Sequence, residues 1–391
     1  MSGAPSRAIE TTTPQTRTTR APGSIAAVIA LALIALAFIY PVGAKTDEIA
    51  ATGWRDGALP LATWALLLLA AIRAMFPTVG LRPTVVLLAL CLAGAAGFGQ
   101  LAPALGEAPA GSGFWLALIA CALLAAISVQ RCAAIGGSRA FGLVTAGLFG
   151  AWILFFWQVG VTAFEVPRVL LPAPSFIVHA LVDQWPTLLR DFMQTVLKAV
   201  LIGWLLGCAL GFAVGVAIDR LPFLQRGLLP LASLTSTIPL VAVAPIMVMW
   251  FGFEWPSKAA VVVLMTFFPM LIATLAGLQS AGRLERELMH SYAASYARTL
   301  LDLRLPCAVP FIVSALKINA TLALIGAIVA EFFGSPTVGL GFRISTEAAR
   351  MNMPLVWGAI VVAAVTGSLA YALLVQLERR WAFWHPSVRS R

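Results

Sequence analysis

Long apolar runs separated by short polar or basic stretches dominate the chain. About ten of them approach or reach the roughly 20 residues that a helix needs to cross bilayer hydrocarbon. They are Ser24 to Gly43, Leu59 to Met75, Thr84 to Ala102, Gly113 to Val129, Phe141 to Val161, Thr195 to Ala217, Leu228 to Phe251, Ala259 to Leu278, Ala308 to Phe333 and Leu355 to Leu377. Their Ala, Leu, Val and Ile content with interspersed Gly suits helices that pack closely in lipid, and none alternates like a membrane β-strand. The pattern predicts an all-α polytopic membrane protein.

Composition agrees. With 60% hydrophobic and 11% charged residues, a soluble chain of 391 residues would lack the charge to cover its surface. The formal charge of +10 reads as basic residues collected in cytoplasmic loops, not as a nucleic-acid footprint. Ten spans put both termini on one side. With the termini cytoplasmic, the inner segments hold Arg7, Arg17, Arg20, Arg73, Arg82, Arg131, Arg139, Arg220, Arg226, Arg283, Arg286, Arg298, Arg304, Arg379, Arg380, Arg389 and Arg391. The outer segments hold only Lys45, Arg55, Arg168, Arg190, Lys258, Arg343 and Arg350. That bias favours this orientation over its inverse. Residues 1–23, Thr-rich and aperiodic, read as a disordered cytoplasmic tail. A cleaved signal peptide is the alternative, with Val42-Gly43-Ala44 as the small-residue site, but the apolar run is too long and its removal would leave an odd number of spans.

Catalytic chemistry is not in view. Cys91, Cys121 and Cys208 lie in apolar runs, and Cys132 and Cys307 lie at cytoplasmic ends where disulfides are not expected. His179, His290 and His385 are too scattered for a metal site, and no cofactor or metal is expected. A phosphate-binding Gly-rich loop ending in Gly-Lys-Ser/Thr is absent, so any ATP-driven step would need a separate ATPase.

One polar segment between two apolar runs carries the sharpest pattern, residues 283–306. Leu288, Tyr292, Tyr296 and Leu300 recur every four residues and, with Met289, Ala293 and Ala297, form an apolar stripe; Arg283, Glu285, Glu287, Arg298 and Asp302 supply the polar remainder. A helix of this kind either rests at the membrane interface or seats its side chains in a groove on a soluble partner. The small residue at Ala293 suits a close contact or a bend, and Pro306 is expected to end the segment before the next membrane helix.

The register of this segment resembles the coupling loop of permease subunits in ATP-binding-cassette (ABC) importers. That pattern reads Glu-Ala-Ala, three residues, Gly, nine residues, Ile, one residue, Leu-Pro; here Glu287, Leu288 and Met289 open it, Ala293 stands for Gly, Leu303 for Ile, and Leu305-Pro306 closes it. Leu171-Pro172-Ala173-Pro174-Ser175, Ile238-Pro239 with Pro245, Trp250-Phe251-Gly252, Ala330-Glu331 and Gly339-Leu340-Gly341 are similar to strings in permeases of the nitrate, sulfonate and taurine group. The resemblance implies a six-helix ABC permease core over residues 137–391, preceded by an extension of about four helices over 24–136 that has no counterpart in that core. It also implies a bacterial inner-membrane location, two ABC ATPase subunits docking on the loop, a second permease copy forming a homodimer, and a periplasmic substrate-binding protein. The C-terminal string Leu377 to Ser387 and Gly341 to Thr346 look more like permeases for thiamine-precursor pyrimidines and related heterocycles than like sulfonate permeases.

Pathway candidates are fewer. Ser233, Thr235, Ser236 and Thr237, just before Pro239, offer hydroxyls that either line a wet passage or satisfy the carbonyls of a bent helix. Lys317 and Glu331 lie 14 residues apart on one expected helix, about 21 Å of rise, and cannot pair within a subunit. Each is a gate candidate, or else Lys317 snorkels inward and Glu331 reaches water at the outer end. An ion-coupled secondary transporter is the alternative class, and its expected internal repeat is not visible.

Overall fold

A computed structural model of the chain describes residues 24–44, 52–76, 80–104, 110–135, 139–221, 223, 240–334 and 337–383. Among the described residues no β-strand forms, only isolated bridges from Gly43 to Thr52 and to Ala110. Among the described residues, eight helices are long and apolar enough to cross a membrane. Of the other two apolar runs, one forms a 14-residue helix over Ser24–Ala37, and the other is helical over Leu240–Phe251, its residues 228–239 lying outside the described residues. The first ends early for a local reason. Pro41 has no N–H to give the carbonyl of Ala37, which accepts instead from the Tyr40 N–H at 3.2 Å and from the Trp54 indole N–H at 2.8 Å.

The chain divides into two compact units, Met1–Pro167 and Arg168–Arg391. In the first, α1 (Ser24–Ala37) packs on α2 (Ala58–Met75) and α4 (Ser112–Ile135), while α3 (Leu81–Ala104) packs on α2, α4 and α5 (Arg139–Ala163). Small residues permit the approach: a Cβ on Gly94 would meet Leu67 at 2.8 Å, and one on Gly97 would meet Thr63 at 2.2 Å. The sequence-based boundary at 137 puts α5 with the second region. In the structure α5 packs on α3 and α4, and Trp152, Phe155 and Phe156 on α5 form an aromatic cluster against the core of the first unit.

The second unit runs through α6 (Pro174–Asp183), α7 (Trp185–Phe192), a π-helical stretch (Met193–Val200), α8 (Leu201–Arg220), α9 (Leu240–Phe251) and α10 (Trp255–Gln279). It continues through α11 (Arg283–Ser291), α12 (Tyr296–Thr299), a π-helical turn (Leu300–Arg304), α13 (Leu305–Gly334), α14 (Leu340–Ala349) and α15 (Met353–Trp381). Its tightest packing is between α8 and α10. Gly203, Gly207, Gly211 and Gly215, four residues apart, lie along one face of α8. A Cβ on each would stand within 3.0 Å of α10, meeting in turn Val262, the Thr266 hydroxyl, the Phe267 carbonyl and Thr274. Only backbone fits there, so the two helices meet along their length. Asn319 of α13 ties the group together, donating to the Thr266 carbonyl at 2.8 Å in a fully buried position.

Candidate functional site

The segment 283–306 connects α10 to α13 and is built as two short helices, not one. α11 and α12 contain no buried residue. Leu284 and Leu288 on α11, with Tyr292 just past its end, are exposed at four-residue spacing. Arg283 and Glu287 form an exposed ion pair at 2.7 Å, of the kind worth no more than about 0.5 kcal/mol.

The helix then stops. The N–H of Ala294 donates to the Met289 carbonyl at 3.0 Å and that of Ala293 to the His290 carbonyl at 2.9 Å, the paired bonds of a Schellman ending. This ending demands a left-handed residue, and Ala293 supplies it at φ 50°. Where the family pattern carries Gly, the structure thus has a position that favours Gly. It also corrects the continuous stripe read from the sequence: the four-residue spacing from Leu288 to Leu300 spans a break, after which Ser295 caps α12 by accepting from the Arg298 N–H.

The break sends the two tyrosines to different places. Tyr292 is 78% exposed, whereas Tyr296, at 37%, turns back and donates its hydroxyl to Asp219 Oδ2 at 3.1 Å. Asp219 sits in the last turn of α8 and also receives both terminal nitrogens of Arg304, each at 2.6 Å. Arg304 Nε reaches the Leu278 carbonyl near the end of α10 at 3.1 Å. Arg220 lies over the Tyr296 ring at 5.4 Å. Leu303, Leu305 and Pro306 are half-buried at the root of the loop. Pro306 does not end the segment as expected; it occupies the first turn of α13, where a missing N–H is tolerated, and the π-helical turn before it runs straight into that helix.

The far end of α13, about 45 Å away at 1.5 Å per residue over its 30 residues, carries a second polar cluster. Glu331, 2% exposed, accepts from Thr195 at 2.7 Å and from the N–H of Gly341 at 2.7 Å. Thr195 accepts from the N–H of Leu340, and Asp191 accepts from the N–H of Gly339 and from Arg343 Nε at 2.8 Å. Three side chains from two segments therefore cap the free N–H groups at the start of α14, where negative charge suits the helix dipole. Lys258 closes the end of α13, donating to the carbonyls of Gly334, Phe253 and Glu254. The expectation that Glu331 reaches water is corrected: the π-helical stretch around Thr195 and the turn into α14 enclose it. Lys317 does not snorkel either. It pairs with both oxygens of Glu378 on α15 at 2.8 Å.

Ser233, Thr235, Ser236, Thr237 and Pro239 lie outside the described residues. No group of His, Cys, Asp and Glu suited to a metal occurs among the described residues. Asp191, Asp219, Glu378 and Asn319 were not singled out from the sequence. A carboxylate at the edge of an apolar run is the signal that points to the two aspartates.

Apolar helices of spanning length with an exposed two-helix loop between two of them define a polytopic membrane protein. A family model described as the binding-protein-dependent transport system inner membrane component matches residues 186–383, and the chain belongs to that family. It is an ABC importer permease of the sulfonate, taurine and nitrate group and a multi-pass inner-membrane protein. It is 31% identical to the formylaminopyrimidine transport permease protein ThiX of Halalkalibacterium halodurans over 246 residues, 63% of this chain and 98% of that one. It is 34% identical to the riboflavin transport system permease protein RibX of Chloroflexus aurantiacus over 236 residues, 60% of this chain and 88% of that one. The taurine transport system permease protein TauC of Escherichia coli is 32% identical over 165 residues, 42% of this chain and 60% of that one. None of these three is an ion-coupled carrier by its name, and the secondary-transporter alternative finds no support in them.

Proposed function

We propose that the chain is the membrane subunit of an importer in which separate ATPase subunits dock on residues 283–306 and drive the passage of a small heterocyclic solute. One observation carries the docking part. A loop with no buried residue in either helix holds Leu284, Leu288 and Tyr292 exposed at four-residue spacing, yet its root is fastened to the bundle. An apolar face of that shape fits a groove on a soluble partner. Glu287 and Met289 flank this face, Ala293 sets its end, and Leu303, Leu305 and Pro306 form its root.

The remaining parts follow the family. Two ATPase subunits and a homodimer of this chain make one central pathway, a periplasmic binding protein delivers the solute, and both termini face the cytoplasm. The permease core occupies residues 137–391 and the preceding helices are an extension. Pathway or gate roles fall to Ser233, Thr235, Ser236, Thr237 and Pro239, with Lys317 and Glu331 acting through the geometry they maintain. A heterocycle is favoured over a sulfonate because the relatives named for formylaminopyrimidine and riboflavin align over 98% and 88% of their length, against 60% for the taurine relative.

Uptake of labelled formylaminopyrimidine, riboflavin and taurine by cells expressing the complete transporter tests the cargo. Saturable uptake of either heterocycle, abolished by the pair Leu288→Asp and Tyr292→Asp, is expected; uptake of taurine alone refutes the heterocycle reading. Cysteines placed near Arg283 are expected to resist an impermeant reagent in intact cells, and labelling there overturns the orientation.

A further inference from the structure

Asp219 is at odds with its local setting. An acidic side chain in the last turn of α8 faces the negative end of the helix dipole, where a basic residue is favoured. Among the described residues, its hydrogen-bond partners come from the loop that returns from the proposed docking face. Arg304 grips both carboxylate oxygens at 2.6 Å, and the pair is shielded, with side-chain exposures of 13% and 6%. A bidentate guanidinium–carboxylate pair fixes orientation as well as distance. Tyr296 adds a third bond to the same carboxylate, and the Arg220 guanidinium lies over the tyrosine ring.

The two limbs of the loop are therefore fastened unequally. The returning limb, 296–304, is bound at both ends to Asp219 and Arg220, and through Arg304 Nε to the end of α10. Among the described residues, the side-chain bonds of the outgoing helix α11 are local, from Arg283 to Glu287, from Arg286 to Gly282 and from Ser291 to Leu288. α8 in turn has no slack against α10, because the four glycines bring backbone against backbone. Besides the covalent continuation into α13, a displacement imposed on the loop has a direct polar route to the end of α8, through the returning limb.

We propose that Asp219, with Arg304 and Tyr296, is a latch that delivers motion of the docked loop to α8, which makes Asp219 a positioning residue for the transport cycle. The proposal rests on the docking reading above. Hydrogen–deuterium exchange of the complete transporter in lipid vesicles, with and without ATP and vanadate, reads the loop peptides 283–299 and the α8 peptides 212–221 separately. In the unaltered complex both respond to nucleotide. In Asp219→Asn the loop response persists, while the α8 response falls by about fivefold or more, the lower range of coupling between sites. The charge swap Asp219→Arg with Arg304→Asp restores at least part of it, which assigns the loss to the ion pair, while the persisting loop response separates it from a folding defect. Tyr296→Phe keeps the ion pair and is expected to weaken the α8 response by a smaller factor, so a poorly assembled Asp219→Asn leaves the question answerable. An undiminished α8 response in Asp219→Asn, or in Tyr296→Phe together with a swap that restores nothing, overturns the latch. No loop response in the unaltered complex defeats the docking reading first, and the latch with it.

Discussion

The two ends of α13 hold polar clusters built to opposite plans. At the Gly334 end, Glu331, Thr195 and Asp191 are buried and take up the free N–H groups of α14. At the Leu305 end, the charges of α11 lie on the surface, whereas Arg304 at the root of the loop is shielded together with Asp219 of α8. Polar groups in the first cluster complete the fold, whereas the surface of the second has contacts left to make. The same residue types therefore predict different consequences on mutation.

The largest expected effect is at the buried cluster. Glu331→Leu strands the N–H of Gly341 and the hydroxyl of Thr195, at a cost of roughly 1–3 kcal/mol for each group left unsatisfied. Thermal unfolding of the purified protein in detergent should show the loss, with Glu331→Gln clearly milder because it keeps one acceptor. A melting point unchanged by Glu331→Leu would erase the contrast between the two ends.

Next is the helix pair that links them. A side chain at position 207 meets the Thr266 hydroxyl at 2.0 Å and the Val263 carbonyl at 2.9 Å, so Gly207→Leu forces α8 and α10 apart at a cost of about 1–3 kcal/mol. The same melting assay reads it.

The loop surface should behave in the reverse way. Leu288→Asp with Tyr292→Asp is expected to leave stability within about 0.5 kcal/mol, as for exposed sites generally. Retention of the ATPase through purification should nevertheless fall by about tenfold, equivalent to roughly 1.4 kcal/mol. Loss of stability without loss of the ATPase would reverse the assignment of the two ends.

The smallest effect belongs to the turn. Ala293→Gly removes the strain of a left-handed alanine, a term of about 1–2 kcal/mol in the folded state, and the entropy of glycine in the unfolded chain cancels part of it. A net gain under about 1 kcal/mol, with docking intact, is expected. Destabilisation by Gly at this position would mean that the Schellman ending does not set the loop.

Much of this was legible along the chain. Apolar runs of spanning length predicted helices, and eight among the described residues are long enough to cross a membrane. The loop register placed Ala293 where the pattern has Gly, and the backbone there is left-handed. Tyr292 and Tyr296, which one helical stripe places together, were harder. The turn at Ala293 separates them into one exposed residue and one anchor, because Schellman bonding reverses the chain within three residues.

Helical periodicity and the spacing of the loop motif are one-dimensional facts, so the sequence by itself determined that this chain spans the membrane and where its loop lies. The charged partnerships were decided only by the tertiary structure. Asp219 and Arg304 are 85 residues apart, Asp191 and Arg343 are 152 apart, and Lys317 and Glu378 are 61 apart. Each carboxylate had several cations within reach of an unfolded chain. Burying a charge without its counterpart is costly, so the packing that set which helix ends lie side by side also chose which ions pair.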